Sequence, residues 1–493
     1  MTSSHGRVGN QPDSDYIIVN LSKGYFIGLY LGTVLSLWSA DLEYPPESAF
    51  KRVVLADNPD KDPNGIVDPM ELSIAKDSRV FFAERRGKIK YWSPESGKVH
   101  WVGDVPVFTG LEDGLLGMTL DPNFTDNGWI YLFHSPPDLE ENHVSRFTIV
   151  DDKLDLSSVK TLIRIKTQRK ECCHSGGSLN FDAAGHLYAS VGDNTNPFAS
   201  DGFSPSDEQV GRSPWDAQKS SANMNDLRGK ILRVTPLADG SVAIPDGNLF
   251  PKDGSQGRPE IYVMGNRNPY RISIDPRTGY LYWGEVGPDA GNLKPKRGPA
   301  GFDEINQARQ AGFFGWPYFI ANNKAYVRYD FGGKESLEPW DAAQPVNLSP
   351  NNTGGKHLPA AQSAFIYYPH SLSARFPAVN AGGGRTAMAG PVYYYDEEQK
   401  SPHCLPSVYD HHLFIYEWSR NWIIAIRLDE DEKIANPRKD LHRFLPGMTF
   451  KRPMDMELGP DGCLYLIQWG TQWGDNNDTQ LIRLEFHGNA NAG

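Results

Sequence analysis

The feature that most constrains this 493-residue chain is a recurring unit: a short alternating run, a turn built on Asp or Gly, and a second run rich in aromatic residues. MELSIAKDSRVFFAERRGKIKYW (70–92) is the first copy, and LLGMTLDPNFTDNGWIYLFHS (115–135) is the second, completed by VSRFTIVDDKL. SGGSLNFDAAGHLYASVGD (175–193) is the third, completed after a long insertion by RGKILRVTP, and YRISIDPRTGYLYWGEVG (270–287) is the fourth. The more degenerate VYDHHLFIYEWSRNWIIAIRLD (408–429) reads as the fifth, and MDMELGPDGCLYLIQWG (454–470), completed by TQLIRLEF, as the sixth. One such sheet cannot bury both faces, so six of them predict blades stacked around an axis: an all-β, six-bladed β-propeller with long inter-strand loops. A strand near residues 50–55 (FKRVVL) is expected to complete the last blade and close the ring. Loops at one end then converge on a central mouth where polar groups from several blades meet.

Composition agrees. The 48 glycines and 37 prolines are spread along the chain, as many short strands joined by turns require. Twelve Trp, 22 Tyr and 23 Phe fill a large core. Sixty-one acidic against 49 basic residues leave a net charge of −12, the wrong sign for a domain held to nucleic acid by phosphate contacts. Arg85-Arg86 and Lys294/Lys296/Arg297 read as solvated surface or loop. Helical periodicity is scarce, and no GxGxxG or Walker pattern supports a nicotinamide or nucleotide site.

The organisation predicted is an N-terminal segment over 1–40, the propeller over 48–486 and a short tail over 487–493. Residues 25–40 (YFIGLYLGTVLSLWSA) follow Lys23, are short for a membrane span and fit the apolar core of a secretory signal or signal anchor. Trp38, Asp13 and Asp15 fit that pattern less well, and a buried N-terminal segment is the alternative. The expected location is exported: periplasmic, secreted or surface-anchored. Of four cysteines, the adjacent Cys172 and Cys173 read more simply as two thiols than as a strained vicinal disulfide, and no Cys-x-x-Cys-His encodes attached haem.

Chemistry gathers in turns. In ECCHSGGSLNFDAAGHLYASVGDNTNP (171–197), His174 precedes the inner strand of its blade and Asp193 follows the next. Antiparallel pairing brings those ends together, and a carboxylate beside an imidazole sets up a base for a hydroxyl proton. The plainer alternative is a structural turn histidine. In Gly265-Asn266-Arg267-Asn268-Pro269 a guanidinium fork can face an anion or developing oxyanion, or form a loop ion pair. In GEVGPD (284–289), followed by FDEIN (302–306) and GWP (315–317), Pro288 leaves carbonyls free as hard ligands for calcium, without any EF-hand spacing.

The order of these pieces, GLLGMTLDPNF, HSGG…VGD, NRNP, EVGPD…DEIN…GFFGWP and a late basic turn before MDMELGPDG, resembles the soluble glucose/sorbosone dehydrogenase family over roughly residues 48–486. The CCHSGG variant and the insertion after Asp193 place it in a branch distinct from the glucose dehydrogenases themselves. The resemblance implies a six-bladed propeller carrying pyrroloquinoline quinone (PQQ) and calcium. It makes His174 the base, with Asp193 as its carboxylate and Glu112 in an uncertain supporting place. It puts Arg267 and Asn268 on the quinone carbonyls and gives the calcium to the backbone carbonyls of Gly287 and Pro288. Arg420, Lys451 and Arg452 become candidate cofactor cations, with Met454 where the family carries a second arginine. Insertions at 194–225 and 318–385 are expected to shape the mouth, and Trp215, Trp340, Tyr367 and Tyr368 are expected to stack on a sugar or pack the loops.

The leading expectation is therefore PQQ-dependent oxidation of a sugar or polyol, with electrons passed to an external acceptor. The alternatives are a non-catalytic propeller that binds a glycan or protein partner, and a calcium-dependent hydrolase on a propeller, such as a lactonase.

Overall fold

Each copy of the repeat folds as neighbouring antiparallel strands of one blade, and strands such as Val80–Glu84 and Leu115–Leu120 are buried along their whole length, as a sheet covered on both faces requires. The computed structural model describes residues 42–488 apart from positions 63, 381, 400, 473 and 475. The segment expected to be a signal or anchor (1–40) and the last five residues lie outside the described residues, and the strands belong to one unit beginning at Tyr44. Among the described residues no helix is long and apolar enough to cross a membrane.

Blade 1 contains Pro69–Ile74, Val80–Glu84, Lys88–Ser93 and Lys98–Asp104. Blade 2 contains Leu115–Leu120, Trp129–His134, Glu141–Val150 and Lys153–Lys166. Blade 3 is built on Gly176–Phe181, Leu187–Val191, Lys230–Pro236 and Ile261–Met264, and blade 4 on Pro269–Ile274, Leu281–Glu285, Asp303–Ala308 and Ile366–Tyr368. Blade 5 contains Ala387–Tyr393, His412–Glu417, Trp422–Arg427 and Leu441–Phe444. Blade 6 contains Pro453–Leu458, Leu464–Gln468 and Gln480–Phe486, and its outer strand is Phe50–Asp57 from the other end of the chain. The protein is a six-bladed β-propeller, closed by the strand expected near residues 50–55.

Two expectations need correction. Residues 408–429 are the middle two strands of blade 5; its inner strand is Ala387–Tyr393, where a register shift between Ala389 and Val392, at Gly390-Pro391, breaks the alternation. Cys172 and Cys173 are joined as a vicinal disulfide.

The first strand of each blade is innermost, and neighbouring inner strands touch around the ring until the sixth meets the first. Apolar side chains fill the seams: Phe81, Met118 and Leu132 between blades 1 and 2, and Ile272, Val263 and Trp283 between blades 3 and 4. Around the axis, by contrast, lies a buried ionic knot. Arg271 of blade 4 donates to the carbonyls of Met454 (3.1 Å) and Met70 (2.6 Å) and lies 3.7 Å from Asp455. Glu71 of blade 1 accepts from Met118 N in blade 2 (2.7 Å) and from the Ser178 hydroxyl in blade 3. Asp455 of blade 6 accepts from Leu72 N (2.7 Å) and from Tyr416 of blade 5 (3.3 Å). All six blades are tied through three side chains.

Removing one partner of such a knot leaves uncompensated buried charge, at a cost of about 3–5 kcal/mol. We expect Arg271→Ala to lose stability of that order in urea unfolding followed by Trp fluorescence. A loss under about 1 kcal/mol would contradict the knot's role.

Candidate active site

One end of all six inner strands opens into an axial cleft of roughly 440 Å³, a volume suited to a small ligand. Met70, Leu116, Gly176, Tyr270, Met388 and Met454 line it, one from each blade. Asn268 lies on its wall, Trp418 and Trp469 form an aromatic side with ring centroids 5.4 Å apart, and Glu112, Arg85 and Arg86 complete the rim.

His174 and Asp193 flank the paired residues Gly176 and Val191, so the register of blade 3 itself brings them together. His174 Nδ1 lies 2.8 Å from Asp193 Oδ1. The carboxylate is fully buried and saturated: Thr195 N donates to Oδ1 (2.9 Å) and Trp316 Nε1 to Oδ2 (2.9 Å). An acceptor on Nδ1 fixes the proton there and leaves the Nε2 lone pair available. His174 has φ 69°, unusual for a residue with a side chain, and its backbone is pinned on both sides. Its N–H donates to Glu112 Oε2 (2.8 Å) and its carbonyl accepts from Asn194 N (3.1 Å). The structure thus gives Glu112 a definite place: it fixes the backbone of His174 from the cleft wall.

Arg267 and Asn268 are positioned from below by Glu285, whose Oε1 accepts both backbone N–H groups. Asn268 Oδ1 accepts from Gly176 N (3.1 Å), bridging blades 3 and 4. Arg267 Nη1 donates to Val286 O (2.8 Å), while its buried Nε has no partner among the described residues. Burial, and then the neighbouring Glu304 charge, raise Glu285 well above the ordinary carboxylate range.

At Gly287 and Pro288 the arrangement is different from the one expected. Gly287 N donates to the buried Asp303 (3.1 Å), and the Pro288 carbonyl accepts from Arg385 Nη2 at 2.6 Å. A permanently charged guanidinium already sits on one of the two carbonyls assigned to calcium, so the residues present do not fit that ion as expected.

The other expected cations are turned to structural tasks. Arg420 spends its guanidinium on the carbonyls of Gly384 (3.0 Å), Asn380 (2.6 Å) and Pro369 (3.0 Å), tying a loop to blade 5. Lys451 pairs with Asp478 at 3.2 Å, and Arg452 lies over Trp418 (4.4 Å) and Trp469 (5.6 Å), bracing the aromatic wall. None of the three lines the cleft, whereas Arg85 and Arg86, read from sequence as solvated surface, do. Only the fold reveals this, because it brings the first turn of blade 1 to the mouth. The two insertions are stitched together where Asp216 accepts from Ser349 (2.6 Å) and Asn351 (2.9 Å). Trp215 packs under Arg212 (3.7 Å), Trp340 against Tyr318 (4.1 Å), and Tyr367 against Phe302 and Phe376. Tyr367 and the fully buried Tyr368 belong to the outer strand of blade 4, Trp215 and Trp340 line a separate cavity between the insertions, and none of the four lines the axial cleft.

Beneath the cleft, burial pushes Glu304 up to about 7, with the charge of Asp303 adding to it. Because this folded value exceeds the unfolded one of about 4.5, the stabilising contribution is full below about 4.5 and lost as pH rises through about 7. We expect the melting temperature to fall between about pH 5 and pH 8 and Glu304→Gln to flatten the fall. A variant that follows the wild-type curve would contradict this.

The Glucose / Sorbosone dehydrogenase family model matches residues 66–354. Aldose sugar dehydrogenase YliI of Escherichia coli (strain K12) is 27% identical over 425 residues, covering 84% of this chain and 89% of that protein. Quinoprotein glucose dehydrogenase B of Acinetobacter calcoaceticus is 26% identical over 325 residues, covering 60% of this chain and 62% of that protein. The PQQ-bound aldose sugar dehydrogenase of Streptomyces coelicolor superposes with a TM-score of 0.56 at 19% identity, covering 90% of this chain and 99% of that one, which speaks for the fold alone. With the family matched over more than half its length, on a ring of six blades, this chain belongs to the glucose/sorbosone dehydrogenase family of oxidoreductases.

Proposed function

We propose that the chain oxidises a hydroxyl of a sugar or polyol using PQQ held in the axial cleft, and hands the electrons to an external acceptor. The observation that carries this reading is the hydrogen bond between His174 and the buried Asp193, next to Ser175 and Glu112, which line that cleft. When bound, the quinone supplies the acceptor for the hydride of the carbinol carbon. The donor set fits a planar, multiply anionic group: Tyr270, Trp418 and Trp469 offer flat apolar surface, Arg85 and Arg86 stand at the rim, and Asn268 lies on the wall. The unpartnered Nε of Arg267 beneath is a further donor. The name of the 26%-identical quinoprotein relative and that of the aldose-oxidising relative support the same cofactor and substrate class.

The proton chemistry rests on this chain's own residues. His174 Nε2 accepts the substrate hydroxyl proton, Asp193 holds the imidazole in the required tautomer and offsets the imidazolium charge, and Trp316 and Thr195 keep the carboxylate in place. Glu112 holds the His174 backbone at 2.8 Å, and the ring itself cannot turn away without breaking the 2.8 Å hydrogen bond to Asp193. No step is routed through calcium, since Arg385 holds the Pro288 carbonyl. Export through residues 25–40 belongs to the same reading and rests on the apolar run of that segment.

The test is to titrate PQQ into the full chain by absorbance and then follow dye reduction across a panel of aldoses and polyols. We expect saturable binding, turnover of at least one aldose, and a loss of about 10³ in kcat in His174→Ala. Cofactor affinity in that variant should stay within about twofold. Absence of PQQ binding would sink the proposal, and undiminished turnover in His174→Ala would remove the assigned base.

A further inference from the structure

The Gly287-Pro288 turn carries an inference that rests on the reading just given and goes beyond it. Arg385, two residues before the inner strand of blade 5, is buried, and its Nη2 donates to Pro288 O at 2.6 Å. Its Nε lies 3.7 Å from Asp303, itself fully buried and fixed by N–H groups of Gly287 (3.1 Å) and Ala387 (3.0 Å). The carbonyl and the carboxylate thus hold the guanidinium from two sides. Gly301 leaves the room: a Cβ there would lie 1.6 Å from Pro288 O and 3.1 Å from Arg385 Nη2. Its Nε and Nη1 are buried without a hydrogen-bond partner among the described residues, and buried guanidinium donors are ordinarily satisfied. Thr386, the residue after Arg385, and Val286, two residues before Pro288, line the cleft, so this charge lies directly behind the cleft wall.

We propose that Arg385 is the resident cation of this cleft, standing where a divalent ion would otherwise sit on the Pro288 carbonyl, and that the chain binds its quinone cofactor without calcium. A guanidinium keeps its charge at every working pH and offers several directed donors, so it can face a quinone oxygen or a cofactor carboxylate as a metal would. It also repels a second cation from the same oxygen, and Asp303 balances it, so the site is complete without metal.

The experiment compares metal-free protein in EGTA with protein in calcium, reading PQQ affinity by absorbance and calcium uptake by calorimetry. The wild type is expected to bind PQQ equally, within about twofold, in both buffers and to take up no calcium with the cofactor. Arg385→Gln, which vacates the carbonyl, is expected to bind PQQ at least about tenfold more weakly in EGTA and to recover in calcium. A wild type that loses about tenfold or more of its PQQ affinity in EGTA, with one calcium bound per chain, would overturn the inference. The wild-type arm decides the matter even if Arg385→Gln fails to fold. If PQQ binds in neither buffer, the functional reading and calcium-free cofactor binding both fall; if PQQ binds and only the calcium dependence differs from that expected, the functional reading stands and the inference alone falls.

Discussion

Everything above the axis depends on the Glu71–Arg271–Asp455 knot. Six strands converging on a line bring their polar backbones together, and unpaired polar groups there would be costly. The chain answers with one guanidinium and two carboxylates whose bonds reach all six blades. Burial raises Glu71 even as the Arg271 charge lowers it, so desolvation and pairing oppose one another in this layer. Tyr270, next to Arg271, and Met454, next to Asp455, are cleft residues; the knot is the layer on which the cleft stands.

A second device recurs around the ring. The last residue of the second strand in blades 1, 4 and 5 is a buried glutamate: Glu84, Glu285 and Glu417. Each accepts a backbone N–H from the turn entering its own blade, at Val67 (2.8 Å), at Arg267 and Asn268, and at Thr386. In blade 6, Gln468 does the same for Lys451 (2.8 Å). These clamps cost desolvation, and burial raises Glu285 and brings Glu417 to about 7, but they fix the turns that carry the cleft residues. Blade 3 departs from the pattern: Val191 holds the equivalent place, and Asp193, two residues later, meets the side chain of His174. Blade 2 also lacks the clamp, with His134 in that place, but only blade 3 sets an imidazole against a buried carboxylate there.

Much of this was legible in the residues because it is local. Strand alternation, turn chemistry and the closing strand at Phe50–Asp57 are written in short stretches, and strand pairing alone predicted that His174 would meet Asp193. What escaped was set by distance in sequence. Arg271 reads as an ordinary strand residue until Met70 and Asp455 arrive from the far ends of the chain. Arg85 and Arg86 read as surface because only ring closure makes their turn a rim. Arg420 reads as a cofactor cation because four carbonyls that claim its guanidinium lie 36 to 51 residues away in sequence. Arg385 was hidden by the irregular strand that follows it, and Trp316, within a recognised GWP turn, gave no sign that it would reach Asp193.

The central claim is that the axial cleft, with His174 at its edge, is the cofactor site. A crystal structure of the protein soaked with PQQ tests it most directly. The account predicts tricyclic density in the cleft bounded by Asn268, Tyr270 and Trp469, with His174 still bonded to Asp193. Cofactor density anywhere else on a protein that turns over sugar would contradict it.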